Sequence, residues 1–558
     1  MGIPHLTTSL QSFAQHRALQ NEAIVIDGPA LAYHILHVCR VNGASQPSYR
    51  LIAQSTLRWL DELLHHQVAI EAIYFDGHLP SAKRVVRMER LMKSSAQLTR
   101  LFSCNPQGCP MNQVAVDDRN QLADVFSSGV SGFKPFIDPG FFVPVVIDCL
   151  RQHSRYQTLT SVVPGEADAY CAAHVSKRGG LVLTSDSDLL VYNLGEGKVA
   201  FFRDIFMNSD LQIMGSVFAP SQICEKLNLP SSSGLLRLAY ERRKTSHSTL
   251  SEVVHACSRA IANKSEFRKF HEQYQLPDMT LPIPNLSDQG SFSRLAALDP
   301  RISELVVQLS SCPPTPRNDS EDTAGMYLPI LIENPNRGSA WEHSRPLRQL
   351  AYTLLQLGIP GPGMTVLEYR RVQNVSQRGR RVETMSLAEA EQLIEEILVI
   401  LKQMKDIAPK YSISHWHLAC MAVDASECQK LDKQSLTWSM FQRQHKPSIF
   451  EASRIEWDIV HFSAHLQATL YSFRILSQLL SVVLESATEL VLPPTARQLR
   501  SELLQLPPLA RFPDNDDAMR LLSLPDKDAL VREFGEALHL TRVSAPEPES
   551  EGNPFLTE

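Results

Sequence analysis

The sequence predicts an α/β protein, a mostly parallel sheet flanked by helices, joined to a mainly helical C-terminal half. Three observations predict it. Short apolar, β-branched runs at 23–27 (AIVID), 70–76 (IEAIYFD) and 180–188 (GLVLTSDSD) read as buried strands that stop at an aspartate. The first two are each followed by a turn residue and a helical pattern, and such alternation implies a parallel sheet whose ligands gather beyond the carboxyl ends of its strands. Past about residue 245 the strand signals fade, and amphipathic stretches such as 387–405 and 455–490 take over.

Each remaining element follows from local pattern. FFVPVVIDCLRQ at 141–152 opens as an apolar run disturbed by Pro144, and reads as a strand followed by a helix. The stretch 104–140 is rich in Pro, Gly and Ser and is expected to form a mobile insertion above the sheet. Linker chemistry recurs at 276–290 and 311–323. With 558 residues the chain exceeds the roughly 250–300 that one core supports, so several domains are expected. Their expected bounds are 1–245 for the α/β domain, 246–340 for a helical connector, 341–540 for a helical domain and 541–558 for a disordered acidic tail. There is no internal repeat.

Composition excludes several classes. An apolar share of 43% with 20% charged residues is ordinary for a soluble protein, and no apolar run approaches the roughly 20 residues that cross a bilayer. The opening MGIPHLTTSL lacks the basic flank and apolar core of a signal peptide, so an intracellular setting is expected, nucleus over cytoplasm. Ten scattered cysteines suit buried thiols better than a disulfide framework. No zinc site is expected: Cys104 and Cys109 lack knuckle spacing, and His415, His417, Cys420 and Cys428 read as incidental members of a half-buried segment. A net charge of −6 argues against indiscriminate nucleic-acid binding, although a local basic stripe would still hold a phosphate backbone.

The chemistry concentrates in acids at strand ends. Asp27, Asp76 and Asp186 each close a strand, while Glu166 and Asp168 stand in the first turn of a helix opening at PGEADAY. Any one of them could be a helix cap or a turn residue, but capping needs one oxygen per helix and leaves Asp168 and Asp188 unexplained. Crowded carboxylates repel and resist ionising unless a cation sits among them. Hard oxygen donors without a neighbouring Cys or His pair point to Mg²⁺ or Mn²⁺, and their number suggests two ions, able to activate water and stabilise a leaving oxygen in phosphodiester hydrolysis.

Together MGIPHL, VIDG, FDG, PGEADA and the TSDSD strand end resemble the flap-endonuclease and XPG class of nucleases, a branch of the PIN-like fold, over about residues 1–245. Within that class the opening MGIPHLTT, MYLPILIENPNRGSAW and LEYRR look most like the fungal asteroid-type proteins. The resemblance implies a PIN-like fold and a metal site made of Asp27, Asp76, Glu166, Asp168, Asp186 and Asp188, with Gly2 and the free N-terminus nearby. Two features differ from the family pattern. Asp168 stands where a second Glu is usual, and the further aspartate of a Gly-x-Asp-Tyr setting, with the helix-turn-helix that follows it, has no counterpart. Over 229–250 the only acid is Glu241.

A basic stripe follows the second strand. SAKRVVRMERLMKSSAQLTR carries Lys83, Arg84, Arg87, Arg90, Lys93 and Arg100 against the single acid Glu89, and helical spacing puts Lys83, Arg87 and Arg90 on one face. The resemblance implies a gateway helix whose Lys83 and Arg90 steer the scissile phosphate. A second cluster at 368–383 reads equally as a solvated loop or a phosphate contact. The leading expectation is a metal-dependent, structure-selective endonuclease with water as nucleophile, acting on branched or single-stranded DNA or on RNA. The alternative is a weakly active or inactive nuclease-fold scaffold whose helical half recruits a protein partner. A two-metal phosphatase fits less well, because the first strand lacks an Asp-x-Asp pair.

Overall fold

The computed structural model describes residues 3–79, 83–114, 122, 124–126, 129, 135–229, 234–245, 247–277, 295–311, 324–358, 365–443, 453–486 and 492–540. Gly2, much of the expected insertion over 104–140 and the acidic tail at 541–558 lie outside the described residues.

The first half is built on an eight-stranded sheet ordered β1-β9-β7-β6-β2-β3-β5, with β8 paired to β9. Its strands are β1 (Gln15–Ala18), β2 (Ala23–Asp27), β3 (Ala69–Asp76), β5 (Thr160–Val163), β6 (Leu181–Thr184), β7 (Lys198–Phe201), β8 (Phe206–Met207) and β9 (Ile213–Phe218); the short β4 (Cys109–Pro110) stands apart. The five central strands run parallel, and β9 is antiparallel to its neighbours β1, β7 and β8. The fold is therefore α/β with a mostly parallel sheet. From β2 the chain moves outward to β3 and β5, then returns to place β6 on the other side of β2. This reversal opens a crevice beyond the carboxyl ends of β2 and β6.

Helices cover both faces: α1 (Leu6–Leu10), α2 (Gly28–Val41), α3 (Tyr49–His65), α4 (Arg84–Cys104), α5 (Phe142–Gln152), α6 (Ala167–Arg178), α7 (Pro220–Lys226), α8 (Gly234–Lys244), α9 (Leu250–Cys257) and α10 (Lys264–Glu272). Local chemistry sets the entry to α2. Asp27 caps it by accepting from the Ala30 amide, and Pro29 occupies the first turn, where no amide donor is needed. Gly28 is required there because a Cβ would lie 2.6 Å from the Phe75 ring. At the end of β3, a Cβ on Gly77 would fall 2.0 Å from the Val163 carbonyl oxygen of neighbouring β5, so only glycine lets the two strand ends close.

Segment 141–152 corrects the expectation of a strand followed by a helix. It is helical from Phe142, and it is buried at Phe142 and without a break from Val145 to Leu150, so an apolar run that suits a buried strand belongs here to a buried helix. Pro144 sits in the first turn, where a missing N–H breaks no intrahelical bond. The strand reading gave Pro144 the wrong meaning.

The second half contains α11 (Pro300–Ser311), α12 (Arg345–Leu357), α13 (Leu387–Ile407), α14 (His415–Lys430), α15 (Leu436–Gln442), α16 (Trp457–Ser486), α17 (Pro494–Leu503), α18 (Asn515–Leu522) and α19 (Lys527–Ala537). A small sheet stands among them, with β10 (Gly325–Tyr327) parallel and β12 (Arg380–Glu383) antiparallel to the central β11 (Thr365–Tyr369). A last short strand, β13 (Arg454–Ile455), pairs antiparallel with β4 and so ties the helical half to the start of the 104–140 segment.

One hydrophobic core runs from Ile24 and Ile26 in β2 through α2, α3 and α5 into α12, α16 and α19. A second fills the opposite face of the sheet, between α1, α6, α8, α9 and α10. Polar ties reinforce the first. Arg474 of α16 donates to Asp299 at 2.7 and 2.9 Å and to Asp148 of α5 at 3.0 Å, and the Leu509 amide donates to Asp148 at 2.9 Å. Among the described residues no helix is long and apolar enough to cross a membrane.

Candidate metal and phosphate site

The carboxyl ends of the parallel strands bring the predicted acids to one edge. Asp27 ends β2, Asp76 ends β3, Glu166 caps the start of α6 with Asp168 in its first turn, and Asp186 and Asp188 follow β6. Four of the six accept hydrogen bonds that hold them in place. Asp27 accepts from the Thr184 hydroxyl at 2.6 Å and the Ala30 amide at 3.3 Å, joining β2 to β6 across the crevice. Asp76 accepts from the Ala167 amide at 2.8 Å, which fixes the start of α6 against β3. Asp186 accepts from the Asp188 amide at 3.0 Å, and Asp188 accepts from the Ile3 amide at 3.1 Å. This last bond brings Ile3 to the site, and the placement expected of Gly2 falls outside the described residues.

Burial and mutual repulsion set the electrostatics of these carboxylates. Burial pushes the Asp27 carboxyl up to about 7, opposed by the Thr184 hydrogen bond and aided by the charge of Asp76. Burial, with the charge of Asp186, raises Asp188 to about 6. Asp76 is raised by burial and by Glu166. Asp168 is raised well above the ordinary carboxylate range by burial and by the charges of Asp27, Asp186, Asp76 and Glu166. Repulsion of this kind is what a bound cation relieves. An all-carboxylate donor set suits a hard divalent ion such as Mg²⁺ or Mn²⁺. The set is spread wider than a closed ligand cage. Among the described residues, the group of donor atoms all within 4.8 Å of one another is His343, Asp424 and His465, well removed in sequence from these acids.

The basic residues divide. Lys83, at the N-terminus of α4, is half exposed and pairs with Glu166 at 2.9 Å. Arg90 is exposed about two turns further along the helix. Arg84 and Arg87 differ from the expected open basic face. Arg84 donates to the Tyr369 hydroxyl at 2.8 Å. Arg87 is 7% exposed, pairs with Glu304 of α11 at 2.5 Å and lies 4.5 Å from the centre of the Tyr327 ring. The reason is packing: Met88, Tyr327, Leu367, Tyr369 and Val372 form an apolar patch that docks α4 on the small sheet, and the two arginines border it.

The second basic cluster is also drawn into the fold. Arg371 grips Glu333 at 2.5 Å and donates to the carbonyls of Asn334, Pro335, Arg337 and Gly338; Arg370 and Arg380 both pair with Glu342. Glu241, the sole acid of 229–250, is paired with Arg237 at 2.7 Å within α8. Three residues beside the acids carried no signal in the sequence reading. Thr184 is a core strand residue until β2 is placed beside β6, and Tyr192 and Tyr274 meet edge to face at 5.2 Å, with burial and then the charges of Asp188 and Asp186 pushing the Tyr274 hydroxyl up. A cavity of about 490 Å³, lined in part by Tyr49, Gln467, Arg511 and Asp514, includes none of the six acids.

Residues 138–384 match a family model described as XPG domain containing. The chain is 22% identical over 398 residues to asteroid homolog 1 of Schizosaccharomyces pombe (strain 972 / ATCC 24843), a match covering 67% of this chain and 64% of the relative. The matched part thus spans under two thirds of that relative's length. A solved chain, the catalytic core of Rad2 in complex with DNA substrate, aligns at 12% identity over 50% of this chain and 86% of its own length, with a TM-score of 0.25. That superposition is too loose to carry an argument. The resemblance to XPG-type nucleases with asteroid similarity, read above from motifs, is borne out by the family and sequence matches.

Proposed function

We propose that this chain, an XPG-type relative with asteroid similarity, is a metal-dependent, structure-selective endonuclease that hydrolyses phosphodiester bonds. One observation carries the reading: four segments deliver six carboxylates to the crevice where the strand order reverses, and the carboxyls of Asp27, Asp76, Asp168 and Asp188 are all pushed upward there. In this reading Asp27, Asp76 and Glu166 hold one Mg²⁺ or Mn²⁺, and Asp168, Asp186 and Asp188 hold a second. Such ions supply a water of lowered pKa and stabilise the leaving oxygen.

The chain's own residues do the positioning. Thr184 fixes which Asp27 oxygen faces the crevice, and the Ala167 amide does the same for Asp76. Lys83 already reaches the site through Glu166, so an incoming phosphate competes for its ammonium, while Arg90 offers a second cation further along α4. The phosphate contact holds the nucleic acid without reading its sequence. Branched or single-stranded DNA, or RNA, is the substrate class, and nuclear location suits it.

A second reading, a nuclease-fold scaffold of little or no turnover, is favoured by Glu241. That acid is held by Arg237 inside α8 rather than supplied to the crevice, so the second ion has fewer ligands to draw on. One assay separates the two. Flap, bubble and single-stranded DNA and RNA are incubated with the protein in Mg²⁺, Mn²⁺ or EDTA, beside an Asp186→Ala variant. Cleavage that requires metal and falls by two orders of magnitude or more, roughly, in the variant supports the nuclease. Cleavage indifferent to the substitution sinks the mechanism, and tight binding without cutting supports the scaffold.

A further inference from the structure

In the helical half, far in sequence from the acidic crevice, three potential ligands meet at one point with a buried thiol beside them. His343 precedes α12, Asp424 and Cys428 stand one turn apart on α14, and His465 lies on α16. The donor atoms of His343, Asp424 and His465 all lie within 4.8 Å of one another. Cys428 stands beside them on the side of His343 and Asp424, its Sγ 3.6 Å from His343 Nδ1 and 3.9 Å from Asp424 Oδ1 but more than 4.8 Å from the His465 donor atom. The geometry points to a structural zinc site made of His343, Asp424, Cys428 and His465, independent of the Mg²⁺ or Mn²⁺ site proposed above.

The separations suit a tetrahedral ion. With Zn–N and Zn–O bonds of about 2.0 Å and Zn–S of about 2.3 Å, neighbouring ligands stand about 3.3–3.5 Å apart. His465 Nδ1 is 3.9 Å from Asp424 Oδ1, and both measured sulfur contacts fall within about half an ångström of the ideal. The His343–Asp424 contact, at 2.5 Å, must widen by roughly 0.8 Å, and His465 must close on Asp424 Oδ1 and, by more than an ångström, on Cys428 Sγ. His343 is the member with room to move, its side chain 19% exposed where the other three are buried.

The second observation is an orphan. His465 is 4% exposed, yet its Nδ1 has no hydrogen-bond partner and is aimed at the group. A buried imidazole nitrogen left unpaired costs free energy that a metal bond would recover. Asp424 is built to present one oxygen: its Oδ2 accepts from the Ser435 hydroxyl at 2.6 Å, the Thr437 hydroxyl at 2.5 Å and the Thr437 amide at 3.3 Å, which leaves Oδ1 to the histidines. Such outer hydrogen bonds orient a metal-ligating carboxylate. Around the group stand Glu342, Glu427, Lys433, His461, Arg337 and Arg371. A nucleophilic triad of Cys428, His343 and Asp424 is a weaker account, because the thiol is buried and pushed well above its ordinary pKa by burial, and it explains nothing about His465.

Two imidazoles, a thiolate and a carboxylate form a donor set that favours Zn²⁺ over Mg²⁺. Binding releases the Cys428 thiol proton, and the proton between His343 Nδ1 and Asp424 gives way to the metal, passing to Nε2 of a neutral ring or to water from an imidazolium, so that a neutral imidazole remains; no oxidant or reductant is involved. The ion would tie together α14, α16 and the segment entering α12, and its role is to hold the helical half.

The test uses the full chain, stripped of metal and loaded with Zn²⁺ or Co²⁺. Expected are one tightly held Zn²⁺ per chain, a strong visible absorption of tetrahedral Co²⁺, and a thiolate-to-cobalt charge-transfer band. That band should persist in Asp186→Ala and vanish in Cys428→Ser, and His465→Gln should weaken Zn²⁺ binding by about tenfold or more. A folded wild type that fails to retain Zn²⁺, or gives only the weak octahedral Co²⁺ spectrum without the charge-transfer band, overturns the proposal. Because the wild-type spectrum decides the matter, a variant that fails to fold does not rescue it.

Discussion

Thr184 and Asp27 show how single side chains set the crevice. The Thr184 hydroxyl gives its proton to Asp27 and also accepts from the Asp186 amide at 3.0 Å, so one small residue orients acids on two strands. Thr184→Val keeps the volume and removes both bonds. It is expected to cost about 1–3 kcal/mol in urea unfolding and to raise the Mg²⁺ concentration that half-saturates cleavage; unchanged values for both would show that the hydroxyl does not position Asp27. The raised carboxyls make a further prediction. Asp27 titrates near 7 in the fold against 3.8 for an ordinary aspartate, and Asp188 near 6. Between those values the unfolded chain has released protons that the fold keeps, so these groups make metal-free stability fall as pH rises from about 4 to 7. Mg²⁺ relieves the same repulsion. Its elevation of the melting temperature should be greater at pH 8 than at pH 5.5, and an equal shift at both would place the Mg²⁺ elsewhere.

At the scale of elements, α4 is a docked helix with one end at the site. Arg87 of α4 and Glu304 of α11 are both nearly inaccessible, and Arg87→Ala removes the nearer of the two arginines that pair with Glu304 while Arg301 stays at 3.2 Å, a loss of about 1–3 kcal/mol. The double change Arg87→Met with Glu304→Leu should recover most of that in denaturant unfolding; failure to recover would mean that the pair itself, rather than the under-paired carboxylate, holds α4. Which basic residues stay free was not legible from spacing. Lys83, Arg87 and Arg90 share a helical face, but the partner that buries Arg87 lies 217 residues away. The same holds at 368–383, where Glu333 and Glu342 absorb arginines that read as a solvated patch. By contrast, parallel strands that stop at an acid were legible, because a buried apolar run and a terminal carboxylate are both local signals. Only the opening of the helix at Phe142–Gln152 reads as strand in the sequence, because its apolar run looks like one until the place of Pro144 in the first helical turn is known.

At the scale of the whole molecule, the helical half shares a core with the sheet and supplies the surface on which α4 rests. Its small sheet was invisible in the sequence because β10 and β12 are 3 and 4 residues long and gain their order from β11. A protein partner for this half, and the division of the chain into separately folding units, are proposals that limited proteolysis would test. The central claim concerns the crevice, and a crystal of the protein soaked in Mn²⁺ tests it most directly through anomalous diffraction. The account predicts manganese peaks among Asp27, Asp76, Glu166, Asp168, Asp186 and Asp188, and their weakening or loss in Asp186→Ala. A wild-type crystal at saturating Mn²⁺ with no peak between these carboxylates would contradict it.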